Sequence, residues 1–201
     1  MPAHGLWSLL LFSSSILIAL ASKNKTNALG DWRWTSPWTF MRSKDIYLNL
    51  TTLHWPHIKC IRAKPTLKNK TAQTLSQDIF INVAIGENIT WHIMKASYTP
   101  LFDEISNITR RARKFASVDE DAQAVTNYTF LHVIRDCAIV FKEKEKNKTG
   151  VVSSWELWVN NRFNTSSEAC KKQYLKVCEC VQPMQFNMSD CKRQPHNQKS
   201  F

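Results

Sequence analysis

A carboxylate set among aromatic side chains is the feature of this sequence best suited to chemistry. Residues 155–159 are apolar and rich in β-formers around Glu156, which predicts a β-strand. Side chains two residues apart share one face of a strand, so Glu156 and Trp158 are expected to point the same way. A carboxylate beside an indole can hold an organic cation through charge and cation–π attraction.

The other titratable residues form no catalytic pattern. The sequence has no nucleophile elbow, phosphate-binding loop or zinc-protease motif. His54 and His57 flank Pro56, which prevents the helical spacing of a metal pair, so we interpret them as loop histidines. Asp103 and Glu104 adjoin on a candidate strand and therefore point apart. We expect a binding protein, with no enzymatic activity, no metal site and no cofactor.

The elements around Glu156 form one supersecondary unit. Residues 137–141 predict one strand and residues 155–159 a second, separated by a polar hairpin loop from Lys142 to Gly150. A helix is predicted over 166–177, with Ser166 as its N-cap. Two antiparallel strands and a following helix would place Glu156 inside a sheet.

This unit resembles the amine-binding signature of tick salivary lipocalins, the histamine-binding family. That signature joins Cys-Asp-Val/Ile/Leu, then Glu-Leu-Trp/Tyr, then Cys. The matching residues are Cys137, Ile139, Glu156, Leu157, Trp158 and Cys170. Residues 45–48 and 59–63 also look like the first two strands of the family. The sequence departs from the signature at Ala138, where the family has Asp, and the adjacent Asp136 would point to the opposite face.

Short strands recur along the rest of the chain and favour the same architecture. They are predicted at 45–53, 57–63, 76–85, 88–98, 102–109, 114–118 and 125–134, with a polar loop at 64–74. About eight strands and one late helix predict an all-β fold, an eight-stranded antiparallel lipocalin barrel with the helix packed outside. A barrel of this size can hold one small ligand.

Residues 1–21 are interpreted as a secretory signal peptide. They contain no Asp, Glu, Lys or Arg, run apolar from Leu6 to Leu20 and end in small residues. A transmembrane anchor is the alternative, but the run is short and interrupted by serines. Residues 22–201 would then form a single secreted lipocalin domain, found in saliva if the resemblance holds, with an irregular tail at about 183–201. The indoles expected to close one barrel end, or to line the cavity, are Trp32, Trp34 and Trp38.

Nine Asn-x-Ser/Thr motifs indicate a glycosylated surface. They begin at Asn24, Asn49, Asn69, Asn88, Asn107, Asn127, Asn147, Asn164 and Asn187. A glycan cannot point into a barrel, so outward Asn49, Asn88 and Asn127 would turn their neighbours inward. Those inward sets are Ile46, Leu48 and Leu50; Ile89, Trp91 and Ile93; and Tyr128, Phe130 and His132.

All six cysteines lie after residue 21, as expected of disulfides formed in an oxidising compartment. Spacing alone cannot choose among their pairings. The resemblance implies two bridges, Cys60 with Cys191 and Cys137 with Cys170. Cys178 and Cys180 stay unassigned, because a bond across one residue is geometrically strained. The alternatives are free thiols, an intermolecular bridge or competition for the partners assigned to the other cysteines.

The resemblance implies a protein that sequesters a small host mediator, a biogenic amine such as histamine or serotonin, and so evades host defence. The residues expected to contact the ligand are Glu156, Trp158, Ala138, Tyr128, Phe130 and Trp91. The loss of an acid at Ala138 and a net charge of +11 favour instead an anionic lipid, such as a leukotriene or fatty acid.

A third alternative is a surface-acting inhibitor of a host complement or haemostasis protein. Glu156 also has a second interpretation, a salt bridge at the barrel mouth. We expect a monomer that binds neither nucleic acid nor membrane.

Overall fold

In the computed structural model, β-strands form most of the described part of the chain, which comprises residues 35–104, 111–146, 150–163, 167–180 and 182–192. The elements are α1 (Pro37–Met41), β1 (Ile46–Thr51), β2 (Ile58–Asn69), β3 (Thr74–Ile85), β4 (Asn88–Leu101), β5 (Lys114–Asp119), β6 (Val125–Val133), β7 (Cys137–Lys146), β8 (Gly150–Asn160), α2 (Ser167–Cys178), β9 (Met184–Gln185) and a 3-10 turn (Met188–Cys191). The signal-peptide prediction for 1–21 lies outside the described residues.

Strands β1 to β8 form a closed antiparallel barrel in up-and-down order. Each strand from β2 to β8 pairs with the next, β8 pairs with β1, and β1 returns to β2. That last pairing sets Ile46 opposite Ala63 and Tyr47 opposite Arg62. The short strand β9 pairs with β1 outside this circuit. The predicted eight-stranded antiparallel barrel is confirmed.

Helix α1 closes one end of the barrel. Ser36 caps its N-terminus, and Trp38 and Phe40 are buried in the apolar cluster that fills the lumen, called here the inner cluster. Burial of Trp38 agrees with the expectation that an indole closes this end. Trp32 and Trp34 lie outside the described residues.

Helix α2 packs on the outside of β7 and β8, as predicted within one residue at each end. The two expected disulfides are present, Cys60 with Cys191 and Cys137 with Cys170. The structure also pairs Cys178 with Cys180, which the sequence left open. Glu179 between them adopts the left-handed conformation, with φ 51°, and brings the two Cα atoms to 5.1 Å, within the ordinary range for a disulfide.

Two segments predicted as loops are strands. β2 continues past Pro65 to Asn69, and a bulge between Pro65 and Leu67 accommodates a residue that has no N–H to donate. β7 continues to Lys146, which pairs with Gly150 at the start of β8. The weak strand candidate at 102–109 is not a strand at 102–104, and 105–110 lie outside the described residues.

The prediction for the β1 motif holds for Ile46 and Leu48, which are in the inner cluster, and is wrong for Asn49 and Leu50. Asn49 is 5% exposed, and its Nδ2 donates to the carbonyl of Phe186 at 3.5 Å. A bulge lies between Leu48 and Leu50, so Leu48 joins the inner cluster while Leu50 packs outside with α2. An extra residue in one strand reverses the alternation that the prediction assumed.

The other motifs give no test of glycosylation, which stays a prediction. Those on exposed residues are Asn69, Asn88, Asn127 and Asn187; those outside the described residues are Asn24, Asn107, Asn147 and Asn164. Asn127 faces outward, as expected, with Tyr128 and Phe130 against or in the inner cluster. None of the helices in the described ranges is long and apolar enough to cross a membrane.

Candidate ligand-binding site

Glu156 is fully buried and faces the barrel lumen. On β8, Trp158 packs against the inner cluster, whereas Leu157 and Val159 belong to the outer cluster, the apolar residues packed between the barrel and α2. Alternation along the strand therefore places Glu156 and Trp158 together inside. This is the arrangement that the sequence predicted for the pair.

Both oxygens of Glu156 are hydrogen-bonded by side chains inside the barrel. Oε1 accepts from Lys142 Nζ at 3.2 Å, and Oε2 accepts from Trp158 Nε1 at 2.7 Å. Lys142 is 21% exposed at its side chain, while Glu156 is not exposed at all. A carboxylate taken from water needs such partners, because an unpaired buried charge costs several kcal/mol.

Aromatic rings surround the ammonium of Lys142. Its Nζ lies 5.8 Å from the ring centre of Trp55 and 5.8 Å from that of Tyr128. Both distances fall within the roughly 6 Å over which a cation and an aromatic face attract. Trp55 comes from the loop between β1 and β2, at the barrel end opposite α1. We call the carboxylate of Glu156 with these two rings the cation cage.

Tyr128 of the cage and the neighbouring Tyr98 both carry neutral hydroxyls. The rings of Tyr98 and Tyr128 lie 5.7 Å apart. Burial raises the pKa of both phenols above the ordinary value of 10.0, and the charge of Glu156 raises the pKa of Tyr128 further. Both tyrosines are therefore neutral near pH 7, and neither competes with Glu156 for a cation.

The lumen next to the cage is nearly filled. The cavity there has a volume of about 20 Å³, which is space for roughly one water. The lining residues are Phe40, Met41, Ile46, Gln77, Tyr98, Tyr128, Phe130, Val140 and Trp158. A wider, open cleft of about 420 Å³ lies against β2, β3 and β4, and Tyr98 borders both spaces. Entry of a ligand into the smaller cavity therefore requires its lining side chains to move.

Five of the six predicted site residues lie on the lumen side. They are Glu156, Trp158, Ala138, Tyr128 and Phe130. Ala138 is fully buried directly opposite Trp158, so the family's second carboxylate would point into the same space.

Trp91 is the prediction that the structure contradicts. The β3–β4 register runs without a shift and sets Trp91 opposite Asn82, on the face opposite to Met94, which packs against the inner cluster. Ile89 and Ile93, on the same face as Trp91, are 59% and 47% exposed. Trp91 therefore lies on the outside of the barrel.

Sequence reasoning missed Lys142, Trp55 and Tyr98. Lys142 follows Val140 by two residues on β7, so strand alternation could have found it, but its charge led to a loop assignment. Tyr98 lay within a predicted strand whose inward face was assigned to the wrong parity. Trp55 lies in a loop, where alternation gives no orientation.

Neither a family model nor a curated protein sequence matches this chain. Several solved structures are similar to it. Japanin from Rhipicephalus appendiculatus bound to cholesterol aligns with a TM-score of 0.54 and 11% identity, over 75% of this chain and 97% of that one. The AM182 serotonin complex aligns with a TM-score of 0.48 and 14% identity, over 75% and 88%. Apocrustacyanin C2 aligns with a TM-score of 0.49 and 10% identity, over 75% and 80%.

The chain has the lipocalin fold. The alignment with Japanin supports this at the level of architecture, and the closed barrel with its outer helix agrees with it.

Proposed function

We propose that this lipocalin is secreted and sequesters a small host mediator in its lumen, and that the mediator is a biogenic amine bound by Glu156. The observation that carries the proposal is the position of an ammonium in the cation cage. Lys142 Nζ lies 3.2 Å from a Glu156 oxygen and within cation–π range of two rings. A cage that accommodates one alkylammonium has the chemistry to accommodate another.

Histamine and serotonin fit this chemistry because each joins a cation to an aromatic ring. The ammonium would bind Glu156, and the ring would lie among the apolar and aromatic residues of the lumen, such as Phe130 and Trp158. The resemblance around Glu156 supports the same ligand class. Three disulfides agree with an oxidising, extracellular compartment, and secretion into saliva remains part of the proposal.

Calorimetry with histamine and serotonin tests the role of Glu156. Glu156→Gln keeps the shape of the side chain and removes its charge, so affinity for either amine should fall by at least about tenfold, or about 1.4 kcal/mol. Glu143→Gln is the matched control, because it removes an equal charge from the outward face of the neighbouring strand β7. Equal affinities in wild type and Glu156→Gln would reject the proposed role.

A lipid with an anionic head group is the second candidate. The Lys142 side chain is partly exposed and carries a positive charge that could bind a carboxylate, and the net charge of +11 attracts anions. The similar Japanin structure holds cholesterol, a lipid. Titration with a leukotriene and a fatty acid tests this candidate. Binding of neither amines nor lipids would favour the third alternative, a surface that inhibits a host protein.

A further inference from the structure

We infer that the ammonium of Lys142 is a built-in competitor for the cation cage, and that a ligand amine binds by displacing it. The inference rests on the proposed function, because it concerns how the same carboxylate meets its ligand. In this inference Lys142, which is not a residue of the family signature, determines how tightly an amine binds.

Charge balance requires the displacement. Lys142 and Glu156 form a pair of opposite charges 3.2 Å apart inside the barrel. A second cation brought to Glu156 while Lys142 stayed in place would leave one positive charge in excess beside a fully buried carboxylate. Such an uncompensated charge is costly, so the incoming ammonium has to take the position of Lys142.

The side chain of Lys142 has a route out of the cage. Glu156 is fully buried, but the Lys142 side chain is 21% exposed and is carried on four flexible methylenes. Two residues further along β7, Lys144 pairs with Val152 nearer the strand ends, on the side of the barrel that carries Trp55. Rotation about the side-chain bonds would move the Lys142 ammonium toward solvent without moving the strand.

A polar group that Lys142 does not contact lies next to the cage. Ser154 lies directly opposite Lys142 on β8, on the same face as Glu156, and is 3% exposed. Its hydroxyl oxygen is buried and has no hydrogen-bond partner within the described residues. A ligand that carries a second polar group, such as an imidazole nitrogen or a ring hydroxyl, would supply that partner.

Lys142→Met tests the inference by calorimetry with serotonin, histamine and 5-hydroxytryptophol, in which an alcohol replaces the amine of serotonin. Methionine keeps the length of the side chain and removes the ammonium. Affinity for both amines should rise by at least roughly tenfold, the scale of one buried charge pair, while affinity for the neutral alcohol should not rise in parallel. Lys144→Met is the matched control, because it removes the same charge two residues away.

The outcomes separate the inference from the proposed function. A gain in amine affinity for Lys142→Met that disappears in the double variant with Glu156→Gln supports both. Amine binding by wild type with no gain, or a loss, in a folded Lys142→Met protein overturns the competitor role and leaves the proposed function standing. No amine binding by either folded protein rejects both. A loss of leukotriene binding in Lys142→Met would instead favour the anionic lipid and overturn the inference.

Discussion

The outer and inner faces of strands β7 and β8 are both buried at their centre but differ in the chemistry of the residues buried there. On the outer face, Ile139 and Leu157 pack with Tyr174 of α2 and are not exposed at all. On the inner face of the same two strands, Ala138 is equally buried, yet it shares the lumen with the Glu156–Lys142 ion pair.

This difference separates the residues that stabilise the fold from those available for binding. The outer face is closed by apolar contacts and by the Cys137–Cys170 disulfide, and both kinds of contact are permanent. The inner face holds an ion pair, whose cation can be exchanged for another cation of similar size. A change on the outer face should therefore alter stability alone, and a change on the inner face should alter stability and ligand affinity together.

Leu157→Ala tests this separation with the largest expected effect. Leu157 is fully buried against α2, so its truncation should lower the free energy of unfolding by about 2–5 kcal/mol, measured by urea unfolding. Serotonin affinity of the folded variant should not change. Val140→Ala, on the lumen side, should alter both quantities, because Val140 lines the cavity. A changed affinity in Leu157→Ala would contradict the separation.

Trp158→Phe sharpens the comparison on the inner face. Trp158 Nε1 donates to Glu156 Oε2 at 2.7 Å, and loss of a hydrogen bond to a charged group costs about 1.5–3 kcal/mol. Thermal and urea unfolding should show this loss, with weaker amine binding because the carboxylate is less well oriented. Trp155→Phe is the control on the outer face of the same strand, where the indole packs on Phe141 with ring centres 4.8 Å apart. Equal losses of stability and affinity in both variants would remove the special role of Trp158.

Alternation predicted side-chain orientation correctly where one face of a strand is buried by the lumen. Glu156, Trp158, Tyr128 and Phe130 were placed inside because their strands span the filled part of the barrel. Alternation failed at Trp91, in the part of β4 before Ala96, where β4 has no pairing with β5. Residues 88–93 of β4 are exposed or half-buried on both faces, so burial no longer marks one face as the inner one.

The prediction was also wrong at Lys142, where a run of charged residues was interpreted as a loop. Alternating Lys and Glu residues from Lys142 to Glu145 were interpreted as a solvated loop, although they continue the strand with lysines on the inner face. A lone lysine is rarely buried, so only a partner such as Glu156 makes that position favourable. The partner lies 14 residues away in sequence, and the β7–β8 register that joins the two could not be obtained from local pattern.

The pH dependence of stability tests whether the inner face is as dry as the outer one. Burial raises the pKa of Tyr128 above 10.0. At alkaline pH the Tyr128 hydroxyl therefore stays protonated in the folded protein, whereas it loses its proton in the unfolded chain. The stability tied to that proton is fully present below pH 10 and is lost as pH rises, by about 1.4 kcal/mol at about pH 11. Tyr128→Phe lacks this loss, so its stability relative to wild type should rise by that amount between about pH 9 and 11, measured by urea unfolding. A constant difference would show that water reaches the Tyr128 hydroxyl.

Tyr174→Phe has the smallest expected effect. It tests the contact that helix α2 makes with the outer face of β8. The Tyr174 hydroxyl donates to the carbonyl of Trp155 at 3.1 Å, so its removal near pH 7 should cost about 0.5–1.5 kcal/mol in urea unfolding. Trp155 is adjacent to Glu156 in the chain but points away from the lumen. If the strand isolates its two faces, serotonin affinity stays at the wild-type value. If affinity shifts, the contact between α2 and β8 also positions the carboxylate, and the helix becomes part of the binding site.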